Sequence, residues 1–295
     1  MFRPRLLALP IALATLFVGL SGAGTGVSAS APYASPVPPL LVDIRAAHHD
    51  GFDRVVFEFV GGMPATYTVR SVDQVTAPWT GDPVQVTGDA FLEVTFADAV
   101  GHELTDQAAY GPRRRTYALP NVLEVVTSFD AETILGFGIG LAVDRPFTVS
   151  VLAAPDRLVL DIDTAFGTVA VQNHLTQRGT KAIVAVSRPV VPPATARGAL
   201  QRLFLGPTQQ EMAAGLTLVR DGATGFTNLS ISEGIARVTL TGTCNTRGQT
   251  PTIADEITPT LKQFPSVQWV KIYDPDGQTA HPTGNTDSLP ACLGT

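Results

Sequence analysis

The first half of the chain alternates apolar and polar positions with a period of two. Asp53-Arg54-Val55-Val56-Phe57-Glu58-Phe59-Val60 is rich in β-branched and aromatic residues and stops at Gly61-Gly62. Ala90 to Phe96 alternates, with Phe91 and Glu93 on one face and Leu92, Val94 and Phe96 on the other. Tyr67–Arg70, Val122–Phe129, Ile134–Val143, Phe147–Leu152 and Arg157–Ile162 repeat the pattern between Gly, Pro and Asp punctuation. Short strands at near-regular spacing, with no amphipathic helix among them, predict an all-β sandwich over residues 40–165. The polar stretch from Val100 to Pro120 breaks the regularity. It is expected to be a long loop, and Tyr110, Arg113, Arg114 and Arg115 within it form a candidate binding loop.

The period then changes. Residues 166–180, with Gly167, Gln172, Asn173, Gln177 and Gly179, are expected to be a linker, and a small α+β domain follows over 181–295. Ala182–Val186 predicts a strand. Ala196, Ala199, Leu200, Leu203 and Phe204 recur at helical spacing, and Gly206-Pro207 stops that helix. Thr208-x-x-Glu211 is a capping box opening a short helix with Met212 and Leu216 inward. Thr227–Thr241 predicts a hairpin turning at Glu233-Gly234. Ile253, Ile257, Leu261 and Phe264 mark another helical face, which Pro259 should bend. Val267–Tyr273 predicts the closing strand. The fold class is therefore mixed, a β-sandwich followed by a small α+β domain.

The N-terminus reads differently from both halves. Arg3 and Arg5 precede an apolar run from Leu6 to Leu20, then small residues and the motifs Val27-Ser28-Ala29 and Ala29-Ser30-Ala31. This is a tripartite secretory leader, expected over 1–29 with cleavage after Ala29, because cutting after Ala31 would leave Pro32 at the new terminus. An uncleaved anchor is the alternative. A Pro-rich extended linker, 30–39, follows. No later stretch is long and apolar enough to span a bilayer. Cys244 and Cys292, the only cysteines, are expected to form one disulfide outside the cytoplasm.

Composition narrows the partners. Charged residues make up 16% of the chain, below the ordinary share, so the surface is rich in uncharged polar groups. Net charge is −6, and it falls to −8 once a leader carrying Arg3, Arg5 and no acid is removed. An acidic chain whose one basic cluster is Arg113-Arg114-Arg115 lacks the stripe that nucleic acid or an anionic membrane requires.

Gly51-Phe52-Asp53-Arg54-Val55-Val56-Phe57-Glu58-Phe59, Pro64–Val69, Gly138-Ile139-Gly140-Leu141 and Pro155-Asp156-Arg157-Leu158-Val159-Leu160-Asp161 together resemble the AMIN-like domain of actinobacterial envelope proteins. That resemblance implies a β-sandwich that localises to the cell envelope, and it supplies no catalytic residue. Leu200-x-x-Leu203-Phe204-Leu205-Gly206-Pro207-Thr208-x-x-Glu211, Gly234–Leu240 and Thr260-Leu261-x-x-Phe264-Pro265-x-Val267 resemble the GerMN domain of sporulation and spore-germination proteins. This second resemblance implies an α+β assembly module without a known active site. Pro259 and the tail Ala280–Thr295 depart from its pattern.

Candidate chemistry is sparse. Of His48-His49-Asp50, adjacent strand residues point to opposite faces, so a metal site would receive at most one His and the Asp. His102-Glu103 lacks the second His of a helical zinc motif. Asp274-x-Asp276-Gly277 lacks the later ligands of a calcium loop and reads as a β-turn. Gly136–Gly140 lies within a strand rather than at a strand–helix turn. Asp161 and Asp163 share a strand face and read as strand-end caps. The expectation is a non-enzymatic exported protein with no cofactor or metal, binding cell-wall polymer or an envelope protein, with self-association possible. The alternative is an accessory or activator of a cell-wall hydrolase.

Overall fold

The computed structural model describes residues 27–30, 37–103 and 107–294. The expected leader lies outside the described residues up to residue 26. Val27–Ser30, at the expected cleavage site, forms β1. None of the described helices is long and apolar enough to cross a membrane.

The first domain is the expected sandwich of two antiparallel sheets. Its further strands are β2 (Leu40–His49), β3 (Phe52–Val60), β4 (Thr66–Val72), β5 (Ala90–Ala97), β6 (Arg114–Thr116), β7 (Val122–Ala131), β8 (Ile134–Leu141), β9 (Phe147–Leu152) and β10 (Asp156–Asp163). One sheet runs β1-β4-β5-β8-β7-β6 and the other β2-β3-β10-β9. The inward positions of the alternating strands meet between them. Phe57, Phe59, Phe96 and Phe137 form an aromatic centre with ring centroids 4.9–6.2 Å apart, ringed by Leu92, Val94, Ile139, Leu158 and Leu160.

The outer face of β8 explains its glycines. Gly136, Gly138 and Gly140 alternate with buried Leu135, Phe137, Ile139 and Leu141. Residues 73–89 lie across that face as a strap. A Cβ on Gly138 would stand 2.7 Å from Val75 Cγ1, and one on Gly140 would collide with the Thr87 carbonyl oxygen. The period-two glycine run is therefore a bed for the strap, since only a residue without Cβ lets a backbone approach so closely.

The second domain begins earlier than expected. Residues 166–180 are not a linker, because β11 (Val169–Gln177) sits centrally in the sheet β12-β11-β13, with β12 at Ile183–Val190 and β13 at Leu216–Thr217. Val171, Asn173 and Leu175 point inward, and Asn173 Nδ2 donates to the Ala199 carbonyl at 2.8 Å. That hydrogen bond lets a polar residue sit where the sequence suggested a loop. The second sheet joins β14 (Ala223–Ser232) antiparallel to β15 (Ile235–Gly242), which pairs in parallel with β16 (Trp269–Tyr273). The parallel pair needs a crossover, and α3 (Ile253–Lys262) supplies it. The hairpin turn falls at Glu233 and Gly234 as expected, both at positive φ (53° and 76°).

Helices α1 (Thr195–Leu205) and α3 pack on each other and on β11. Leu200, Leu203, Ile257 and Leu261 fill the core with Val238, Leu240, Val270 and Ile272. Helix α3 runs through Pro259 to Lys262; the carbonyl freed by the proline belongs to Asp255, which is exposed to water. Helix α2 (Gln209–Ala213) opens on the expected capping box between Thr208 and Glu211. It buries none of its residues, however. Leu216 is buried as expected, but Met212 is 38% exposed, and the helix is fastened instead by Glu211 to buried Arg188 of β12 (2.7 and 2.5 Å).

The C-terminal tail is stitched to β16. Cys244 and Cys292 are disulfide-bonded with Cα atoms 5.7 Å apart. Ser288 bonds Val270 and Ile272 as an extra sheet position. The buried Lys271 ammonium donates to the carbonyls of His281, Thr286 and Thr283 at 2.6, 3.1 and 3.2 Å.

Candidate functional site

The two domains meet at a junction built around a buried carboxylate. Asp53 is fully buried, and its Oδ2 accepts from the amides of Asn121 (2.7 Å) and Val122 (2.9 Å) while Oδ1 lies 2.7 Å from His48 Nδ1. These bonds fix the turn before β7 and aim its carbonyls outward from the sandwich. Arg202 of α1 enters there, 3% exposed, donating to Pro120 O at 3.1 Å and to Tyr117 O at 3.5 Å. Burial pushes its pKa down to about 9, Arg188 adds to that, and Asp53 pulls it back, so the side chain remains charged at neutral pH. Thr116 Oγ1 donates to Leu205 O at 2.9 Å, and Arg197 grips Asp89 at 2.8 and 3.0 Å. With Gln201 Nε2 also donating to Asp89 Oδ1 at 3.0 Å, these polar contacts hold the helix against the sandwich.

Beside this junction the strap, α1 and β14 enclose a groove of about 540 Å³. Residues 85–88 form one wall. The opposite wall comes from β14, where a register shift between Thr227 and Ser230 and a positive φ at Asn228 (52°) make a bulge. A bulge bends its strand and re-aims side chains; here Thr227 and Asn228 line the groove. Phe226 forms part of the floor, stacked on buried Phe204 with centroids 5.7 Å apart and planes at 28°. Beyond Leu229 the groove continues into a second depression of about 290 Å³ that reaches Ile231 and Phe264.

The loop expected to bind is largely committed to the fold. Tyr110 is 2% exposed, and its hydroxyl donates to Asp130 Oδ2 at 2.9 Å; burial pushes its pKa up to about 12. Arg115 is buried and donates to the carbonyls of Pro112 and Tyr110. Arg114, on β6, pairs with buried Glu124 and reaches Gln85 O at 2.6 Å. Arg113 is mainly exposed, 3.7 Å from Asp130. Of the arginine triplet, only Arg115 is buried in the fold; Arg113 and Arg114 stay exposed to solvent, their charges turned to Asp130 and Glu124.

Other candidates resolve into structural roles. His49 stacks on Phe52. Asp161 takes a bidentate bond from Arg54 (2.6 and 2.7 Å). Asp163 pairs with Arg145, and the Ala165 amide and that guanidinium hold its pKa below the usual carboxylate range. Asp274 Oδ1 accepts from the amides of Asp276 and Gln278, closing the expected turn. Sequence reading missed the groove. Its residues are scattered over the strap, α1 and β14, and no local motif joins them; Asn228 inside an apparent strand was the one available sign of a bulge.

Residues 39–164 match the family described as the AMIN-like domain. No curated protein and no solved structure matched the chain.

Proposed function

We propose that this chain is a non-catalytic, exported cell-envelope protein that binds cell-wall material through a unit made of both domains. The observation that carries this reading is the groove, since one wall belongs to the AMIN-like domain and the other to the second domain, and Arg202 and Arg197 hold the walls together. AMIN-like domains are envelope-associated binding modules, which supports the location and the mode of action. Export is further supported by the leader pattern and by the disulfide between Cys244 and Cys292. The second domain, read as GerMN-like, acts in assembly by shaping the groove.

The test is co-sedimentation of the purified chain, begun at residue 30, with isolated cell-wall sacculi. Retention in the pellet supports the reading. Failure to bind sacculi, or release of soluble wall fragments by the pure protein, overturns it.

A further inference from the structure

We infer that the interdomain groove takes an uncharged, hydroxyl-rich chain, that is, a neutral glycan. This rests on the envelope-binding reading above and names the ligand class at its site. Lining chemistry supports it. Gln85, Thr87, Thr227 and Asn228 face the groove from both walls, and their side chains hold no hydrogen bond to another described residue. They offer two carboxamides and two hydroxyls, which serve as donors and acceptors without net charge.

Charge excludes the obvious competitors. Among the described residues Arg197 is the one ionised side chain lining either depression, and its charge is paired with Asp89 through Nη1. An acidic peptide or a phosphate polymer would bring anions to a groove without an unpaired cation, and burying an unpaired charge is costly. Phe226 supplies the complementary apolar surface. Its ring is held by Phe204, so a flat, partly buried aromatic lies beside the amides. Such a surface suits the C–H face of a pyranose ring, whose hydroxyls project sideways towards the hydrogen-bonding groups. The continuation past Leu229 to Phe264 makes the site longer than one ring, as an extended polymer requires.

The experiment titrates tetra-N-acetylchitotetraose, an uncharged oligosaccharide, into the isotopically labelled mature chain, with polyglutamate as the charged control. Amide shifts at Gln85, Thr227 and Asn228 and saturable binding are expected with the oligosaccharide, and no competition from polyglutamate. Asn228→Gly keeps the positive φ and removes only the carboxamide, and Gln85→Ala trims an exposed side chain. Each should weaken binding about fivefold to tenfold, the loss of one good hydrogen bond. Absence of saturable binding, or affinity unchanged in both variants, overturns the inference. If sacculi are still retained in that case, the groove assignment falls while the envelope-binding reading stands. If sacculi are not retained either, both fall.

Discussion

The guanidinium of Arg202 donates to the carbonyl oxygen of Pro120 at 3.1 Å, so a buried cation of the second domain is held by the backbone of the first. Among the described residues no carboxylate is hydrogen-bonded to it. The carbonyls it uses are presented by a turn that Asp53 fixes through two amides. Arg202→Met should keep much of the apolar stem contact and leave two carbonyls without their donor. The expected cost is about 1–3 kcal/mol. Calorimetry should show one transition for the natural chain and a separated, lower transition for the variant. An unchanged single transition would mean the domains do not depend on this contact.

The strap over β8 gives a graded prediction. Gly140→Ala pushes a methyl into the Thr87 backbone, while Gly138→Ala meets the side chain of Val75. Side chains yield more readily than backbone. Gly138→Ala should cost about 1 kcal/mol and Gly140→Ala about 3 kcal/mol or more, the range for overpacked sites. Urea midpoints of the two variants check the order. Equal midpoints would contradict a strap seated on the glycine run.

Much of this fold was legible because its strands carry their burial in their alternation. Phe57, Phe59, Val94 and Phe96 mark inward faces in the sequence and in the structure alike. Strand β11 was hidden because its inward position 173 is an asparagine, acceptable only through a bond to Ala199, 26 residues away. Tyr110 and Arg115 looked free for the same reason, since their partners, Asp130 and local carbonyls, are tertiary facts. The groove was the least legible feature. Gln85 and Asn228 come together only through the docking of α1, and that docking depends on buried polar contacts that apolar periodicity does not report.

The tail offers a test of two fasteners. Reducing the disulfide frees a loop spanning a sequence separation of 48, worth about 4 kcal/mol in loop-closure entropy. Lys271→Met removes the ammonium shared by three carbonyls and should cost about 2 kcal/mol. In both cases hydrogen exchange should accelerate first at Ile272 and Ser288, which join tail to sheet. If exchange quickens instead at β11, the tail is not the element these fasteners secure.

Glu256 of α3 sets a pH dependence with a definite sign. Its carboxylate is fully buried, accepting from the Thr176 amide and hydroxyl at 2.9 and 2.7 Å and from the Val219 amide at 3.0 Å. Burial pushes its pKa up from 4.5 to about 8 against the pull of those donors, and Asp221 adds to the rise. Between those values the folded protein holds a proton that the unfolded chain has lost, so stability falls as pH rises, by at most about 1.4 kcal/mol per pH unit. His174, which burial holds below its ordinary 6.5, acts in the opposite sense, but only below that pH. Glu211 and Asp163, both held below the carboxylate range, act at still lower pH. The slope of Glu256 should therefore emerge most cleanly between pH 6.5 and 8. Glu256→Gln keeps an acceptor for Thr176 and has no proton to lose. Denaturation midpoints for the natural chain should fall across this window, and those of the variant should stay level. Parallel slopes would assign the titration to another group.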